Sequence, residues 1–254
     1  MIKNLTFGSD PEYFIVNKNT RKIVSSIPII NGTKEEPEPL GDGFFILKDN
    51  ILAEGNIPPS KTRERFMYNM QELKNRITEY IQLQYPVLEL LHSDCRDVDM
   101  TFLSHSEALQ FGCSPYFNAW DKESHRANDL SSENYRTAGC HIHLGYDLDG
   151  IWNKETMNVI ITRAFDLFVV IPSCLIHVDQ RRFENYGGLG QYRDTGYGLE
   201  CRSLGGYFAN PKYTSWIFDQ VNKAIEFINN EENFYKLNIV FDEQLIITKK
   251  AIYV

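Results

Sequence analysis

Cysteine is scarce in this chain. There are five in 254 residues (Cys95, Cys113, Cys140, Cys174 and Cys201), odd in number, scattered, and never spaced as Cys-x-x-Cys. That pattern indicates neither a disulfide framework nor a zinc knuckle. Reduced thiols in a cytoplasm are the expectation. Positive charge is also in deficit, with 26 Lys and Arg against 34 Asp and Glu, a net charge of −8. No basic cluster stands out, so no nucleic-acid partner is expected. Long apolar runs are missing as well. The most apolar, Phe165 to Ile176, contains Asp166 and Pro172 and is too short to span a bilayer. The first ten residues lack a basic stretch followed by an apolar one, so neither a signal peptide nor a membrane association is expected. No internal repeat is visible, and nothing sets the oligomeric state.

What is present suffices for a large core. Hydrophobic residues make up 43% of the chain, which fits one domain over 1–254 with a C-terminal helix and tail from about residue 210. Phe7 to Val16 reads as an opening strand, and Pro11 within it implies an edge or a strand start. Asn17 to Thr20 is a turn, with a return strand from Arg21 to Val24. Residues 31–43, rich in Pro, Gly and charge, read as a surface loop. A hairpin follows, with strands Phe44 to Lys48 and Ile51 to Ile57 around Asp49-Asn50. Phe66, Met70, Leu73, Ile77 and Ile81 mark residues 61–84 as an amphipathic helix, capped by Ser60 or Thr62. Val98 to Leu103 reads as a strand, and 104–136 holds no clear element. Asn153 caps a second, largely buried helix, and Asn210-Pro211 opens a third.

The centre of the chain is Thr137-Ala-Gly-Cys-His-Ile-His-Leu-Gly-Tyr146, a strand entered through a glycine. Alternation puts His141 and His143 on one face, about 6.6 Å apart. Two imidazoles on such a face suit metal or phosphate binding. Three other strands carry polar pairs at the same spacing: Asp10/Glu12, Glu54/Asn56 and Glu200/Arg202. Each has apolar neighbours on its other face. A shared polar sheet face explains all four at once. Carboxylates gathered there repel one another unless cations compensate, and hard oxygen ligands favour Mg²⁺ or Mn²⁺ with bound phosphates. The segment from Gln180 to Arg193 adds Arg181, Arg182 and Arg193 among glycines, a composition suited to clamping phosphate or carboxylate.

The ordered motifs Phe7-Gly-Ser-Asp-Pro-Glu-Tyr-Phe14, Asp49-Asn-Ile-Leu-Ala-Glu-Gly-Asn-Ile-Pro-Pro59, Phe111-Gly-Cys113, Asn118-Ala-Trp120, Arg136 to Gly145, Tyr186-Gly187, Tyr192-Arg193 and Tyr197 to Leu204 resemble the phage-type carboxylate–amine ligases (COOH.NH2 ligase type 2). Those belong to the glutamine synthetase-like amidoligases. The resemblance runs from about residue 7 to 208. It implies an α+β fold, an antiparallel sheet with a concave polar active face and helices packed behind. It also implies ATP with Mg²⁺ (or Mn²⁺). By similarity Asp10 and Glu12 match the opening acidic pair, one for each metal. Glu54 would join Glu12, while His141 or His143 and Glu200 would join Asp10. Here His141 is grouped with the metal ligands and His143 with Arg193 and Arg202 as catalytic. Arg202 would contact the transferring phosphoryl group. Arg181, Arg182, Arg193 and Asn56 complete the ATP-contacting set.

The function implied is an ATP-dependent amidoligase that activates a carboxylate as an acyl phosphate for attack by an amine. The substrates would be a carboxylate and an amine, with peptide or cell-wall fragments among the candidates. A metallohydrolase built on the His-x-His pair, or a binding protein retaining the fold, are the alternatives.

Overall fold

The computed structural model describes residues 1–99, 101–102, 108, 115–126, 133–149 and 152–239. The motif at 111–113, the far end of the strand expected at 98–103 and the tail beyond 239 lie outside them. In chain order the strands are β1 (Ile2–Asn17), β2 (Ile23–Val24), β3 (Glu38–Gly41), β4 (Phe44–Asp49), β5 (Leu52–Asn56), β6 (Leu88–Leu91), β7 (Cys95–Asp97), β8 (Tyr116–Asn118), β9 (Ser124–His125), β10 (Tyr135–Thr137), β11 (Cys140–Leu148), β12 (Gln191–Asp194) and β13 (Gly198–Cys201). The helices are α1 (Arg63–Gln84), α2 (Lys154–Phe165), α3 (Ile171–Cys174), α4 (Gln180–Asn185), α5 (Thr214–Ile228) and α6 (Glu231–Ile239).

The fold is α+β. Its main sheet runs β3-β4-β5-β1-β11-β13-β12-β8-β9, with β2 and β6 also pairing to β1. All strand pairings among the described residues are antiparallel. β1 is longer than its sequence suggests and lies inside the sheet, not at an edge. Pro11 pairs with Cys140. It is tolerated because the Glu12 N–H turns to β11 and reaches the Gly139 carbonyl at 2.9 Å. The Pro11 nitrogen therefore faces β5, where the ladder starts only at Glu12↔Glu54. No sheet bond is lost.

The expected loop at 31–43 contains β3, an edge strand in which Pro39 is permitted. The strand expected from Val98 is absent at Val98 and Asp99. The Asp99 carboxylate accepts the Thr101 N–H at 2.9 Å and turns the chain. The extended stretch lies just before, as β7, paired with β10.

α1 forms where its apolar spacing predicts. The Thr62 hydroxyl accepts the Arg65 N–H at 3.2 Å, and Phe66, Met70, Leu73, Ile77 and Ile81 are buried. It lies on the opposite side of β5 from Glu54. The approach is so close that a Cβ at Gly55 would come within 2.9 Å of Leu73 and Ile77, so this position has no room for a larger side chain. α2 is capped by Asn153, whose side chain accepts the Thr156 N–H. It continues through a π-helical turn, Asp166–Val170, into α3. The widened turn carries the chain through Pro172, so the helical rod runs from Lys154 to Cys174. This corrects the short apolar run read from sequence, because a rod of 21 residues is long and apolar enough to cross a membrane. Two thirds of its apolar window is buried inside the fold, with Ile160, Ile161, Phe165 and Val169 in the core beside Ile217 and Val221 of α5.

Candidate metal and anion site

Residues directly opposite in an antiparallel ladder share a face. Glu54 lies opposite Glu12, Asp10 opposite His141, His143 opposite Glu200, and Glu200 opposite Arg193. The polar pairs thus form one row across β5, β1, β11, β13 and β12. Ile142, Leu144, Leu199 and Cys201, on the other face, belong to the core.

Within the row two clusters gather. Ligand-type atoms of Asp10, His143 and Glu200 lie within 4.8 Å of one another, and so do those of Glu12, Asp49 and Glu54. Asp49 was read from sequence only as a turn residue. It ends β4, and the turn is made by Asn50 at φ +58°, a conformation asparagine tolerates. His141 sits between the clusters. Its Nδ1 is 3.3 Å from Asp10 Oδ1 and 3.4 Å from Glu200 Oε1. Gly139 leaves room for this ring, since a Cβ there would come 2.4 Å from His141 Nε2. The Gly139 N–H donates to Glu12 Oε2 at 2.6 Å.

Charge on this face is unbalanced. Five carboxylates (Asp10, Glu12, Asp49, Glu54 and Glu200) face the fixed cations Lys34, Arg193 and Arg202 and two imidazoles. Lys34 reaches Asp49 at 3.0 Å from the 31–43 segment and was missed for the same reason as Asp49. Burial, then the charges of Asp10, Asp49 and Glu12, push Glu54 well above the ordinary carboxylate range. Burial also raises Glu12, against the pull of His141. Burial acts to raise Asp10 too, but His143 and His141 outweigh it and hold it far below that range. Burial would lower His143, yet the Asp10 carboxylate brings it above the ordinary imidazole value.

The test of fit to a cation is the set of buried polar atoms whose hydrogen bonding is incomplete. Among the described residues Asp10 Oδ1, His143 Nε2 and Glu200 Oε1 are buried without a well-formed hydrogen bond, held only by ion-pair approaches such as His143 Nε2 to Asp10 Oδ1 at 3.2 Å. Two acceptors and an imidazole nitrogen aimed at one another suit a shared cation. The oxygen-rich Glu12, Asp49 and Glu54 set suits a hard divalent ion. The residues present therefore fit Mg²⁺ or Mn²⁺.

The arginines divide. Arg202 is buried, donates to Tyr186 Oη through Nε at 2.8 Å, and holds Nη1 3.5 Å from Glu200 Oε1. That Nη1 makes no hydrogen bond. Tyr186, which also contacts His141 Nε2 at 3.2 Å, positions both. Arg193 donates from Nε to Glu200 Oε2 at 2.7 Å, with its side chain 39% exposed. Arg181 and Arg182 stand apart from this row. Arg181 pairs with Asp97 at 2.8 Å in an exposed position. Arg182 is buried and donates to the carbonyls of Ala138, Ser203, Arg202 and Leu204. Its donors are spent on backbone, so it braces the entry to β11 against the exit from β13. Substituting Arg182→Lys should cost about 2–3 kcal/mol of stability, because one ammonium cannot serve four carbonyls and leaves buried acceptors unmet. Denaturant unfolding of the variant checks this, and an unchanged midpoint would refute the brace.

A buried acidic and histidine-bearing sheet face, flanked by arginines, makes this a candidate centre for divalent cations and an anionic ligand. Residues 74–243 match the family model of the Phage phiEco32-like COOH.NH2 ligase-type 2, and the chain belongs to that family. By its description the family is one of carboxylate–amine ligases, enzymes that form a C–N bond. The matched segment starts inside α1, so Asp10, Glu12, Asp49 and Glu54 precede it. The sheet register joins them to His143 and Glu200. Comparison with the curated proteins gives no match.

Proposed function

We propose that the protein is an ATP-dependent amidoligase of glutamine synthetase-like type, with residues 1–254 acting as a single amidoligase domain. A carboxylate oxygen attacks the γ-phosphorus of ATP, and ADP leaves. The amine nitrogen then attacks the acyl carbon, phosphate leaves, and the nitrogen gives up a proton. The observation that carries this reading is the pair of largely buried clusters side by side, with the incompletely bonded atoms of Asp10, His143 and Glu200 converging beside Arg202.

Glu12, Asp49 and Glu54 would hold one divalent ion, and Asp10, His143 and Glu200 the other. When bound, such ions neutralise phosphate charge and polarise the oxygens in flight. Arg202, clamped by Tyr186, offers Nη1 to the transferring phosphoryl group. Arg193, partly exposed, is free to turn from Glu200 towards a nucleotide. His141 steadies Asp10 and Glu200 between the clusters. The substrates are a carboxylate and an amine, with peptide or cell-wall fragments among the candidates, and with neither nucleic acid nor membrane required. The free thiols of Cys95, Cys140, Cys174 and Cys201 agree with a reducing cytoplasm, that of the host if a phage encodes the chain.

The test uses ATP, Mg²⁺, hydroxylamine and pooled amino acids, peptides and cell-wall fragments. ADP, phosphate and a hydroxamate should appear together, and only when a suitable acid is present. Formation of AMP and pyrophosphate with the hydroxamate would overturn the γ-phosphoryl route. Hydrolysis of pool members without ATP would favour a metallohydrolase.

A further inference from the structure

The face that carries the clusters continues along β1 and β11 into a hollow of about 390 Å³. Along β1 the same face presents Glu12, Asp10, Gly8 and Thr6 in turn. Gly8 lies opposite His143 and Gly145 opposite Thr6, so two positions that would fill this space carry no side chain. Asn56 and Ile57 form one wall, and His143 and Tyr197 the other. His143 therefore borders both the hollow and the cluster with Asp10 and Glu200.

Among the described residues, no Asp, Glu, Lys or Arg lines the hollow. The charges stop at Asp10 and His143. Burying an unpaired ammonium or carboxylate against such a lining is costly. Apart from His143, which is turned to Asp10, the polar groups it offers are neutral. Among the described residues nothing hydrogen-bonds the Asn56 carboxamide. It has both a donor and an acceptor to give, the complement of a peptide unit. The Thr6 hydroxyl makes one long bond of 3.3 Å to the Gly145 carbonyl and can still accept. Ile57, Pro59 and the half-exposed Tyr197 ring supply apolar contact.

We infer that this hollow is the subsite for an uncharged, amide-bearing segment of the substrate next to its reacting group, read by Asn56. The preferred substrate is then a blocked or peptidyl compound, and a free amino acid with its own ammonium and carboxylate fits poorly. Asn56 belongs on this view with the substrate and not with ATP. The assignment rests on the ligase reading for its purpose, while binding can be measured without turnover.

The experiment titrates the full-length protein with N-acetyl-alanyl-alanine N-methylamide and with zwitterionic dialanine, following ligand resonances by NMR. The blocked compound should bind at least about tenfold more tightly than dialanine. Asn56→Leu should weaken it by about tenfold or more, through loss of both amide contacts. The variant's melting temperature should stay within a degree or two, since Asn56 has no partner to orphan. Asn56→Asp should weaken it as well, by removing the donor. Equal or tighter binding of dialanine, no binding of the blocked compound, or indifference to both substitutions would each overturn the subsite. If the blocked peptide binds through Asn56 but hydroxamates never form, the ligase reading alone falls. If hydroxamates form and the blocked peptide does not bind, the subsite alone falls.

Discussion

Glu54→Gln should give a metal-free protein that melts above wild type and cannot work. Glu54 is buried beside Asp10, Asp49 and Glu12, and Lys34 offsets only part of their field. Gln keeps its shape and removes the cost of holding this carboxyl protonated, or of charging it among the other acids. A gain of about 1–2 kcal/mol is expected, with about 2–4 °C in melting temperature for each. The sign can be followed with pH. The folded-state pKa values of Glu54, Glu12 and His143 are raised. Each therefore stabilises the fold below its unfolded value, and that stability is lost as pH rises through the folded one. Asp10, held low, keeps its contribution above the ordinary carboxylate value and loses it only in acid. Metal-free wild type should thus lose stability as pH rises from the ordinary carboxylate range through these raised values, and the Gln variant should lose less. Mg²⁺ should rescue wild type increasingly over the same window, because each proton displaced makes binding about tenfold tighter per pH unit. The variant should gain little from Mg²⁺ and show turnover reduced by at least about a hundredfold. Calorimetric melts with and without Mg²⁺ decide the matter. A Gln variant that melts below wild type without metal would show that Glu54 is a structural anchor.

Glu200→Gln should do the opposite to the fold and still more to the chemistry. Glu200 is buried among cations: Arg193, Arg202 and the two imidazoles. Its loss leaves the buried Arg202 guanidinium short of a counter-charge. A destabilisation of about 3 kcal/mol is expected, or roughly 6–12 °C. Hydroxamate formation per folded molecule should fall by about a thousandfold, since the same carboxylate serves a cluster and both arginines. Melts and single-sample turnover report the two effects separately. Retained turnover in a folded, less stable variant would remove Glu200 from the candidate site.

Why some of this was readable from sequence and some was not follows from how each residue is held. Asp10, Glu12, Glu54, His141, His143 and Glu200 sit on strands, where a spacing of two already states a common face. Asp49 and Lys34 reach the site from the end of a strand and from an irregular segment, so their arrival depends on hairpin register that spacing does not encode. Arg181, Arg182, Arg193 and Arg202 look alike in a sequence. Backbone carbonyls, a surface aspartate and a buried glutamate tell them apart only in three dimensions. The internal place of β1 was hidden by Pro11, because which edge a missing N–H faces is not a local property. α1 was plain from its spacing, since a helix carries its own ladder and an apolar stripe.

β1 carries one acid from each cluster, Asp10 and Glu12, two residues apart. The distance between the two centres is therefore graduated by the pleat of a single strand, about 6.6 Å per step. Side-chain substitution can change what each centre grips, but not how far apart they stand. One residue inserted between Asp10 and Glu12 would turn one centre to the core face while the other stayed in place. The strand acts as a ruler with one permitted mark, and any relative that keeps both centres should show no gain or loss of length there.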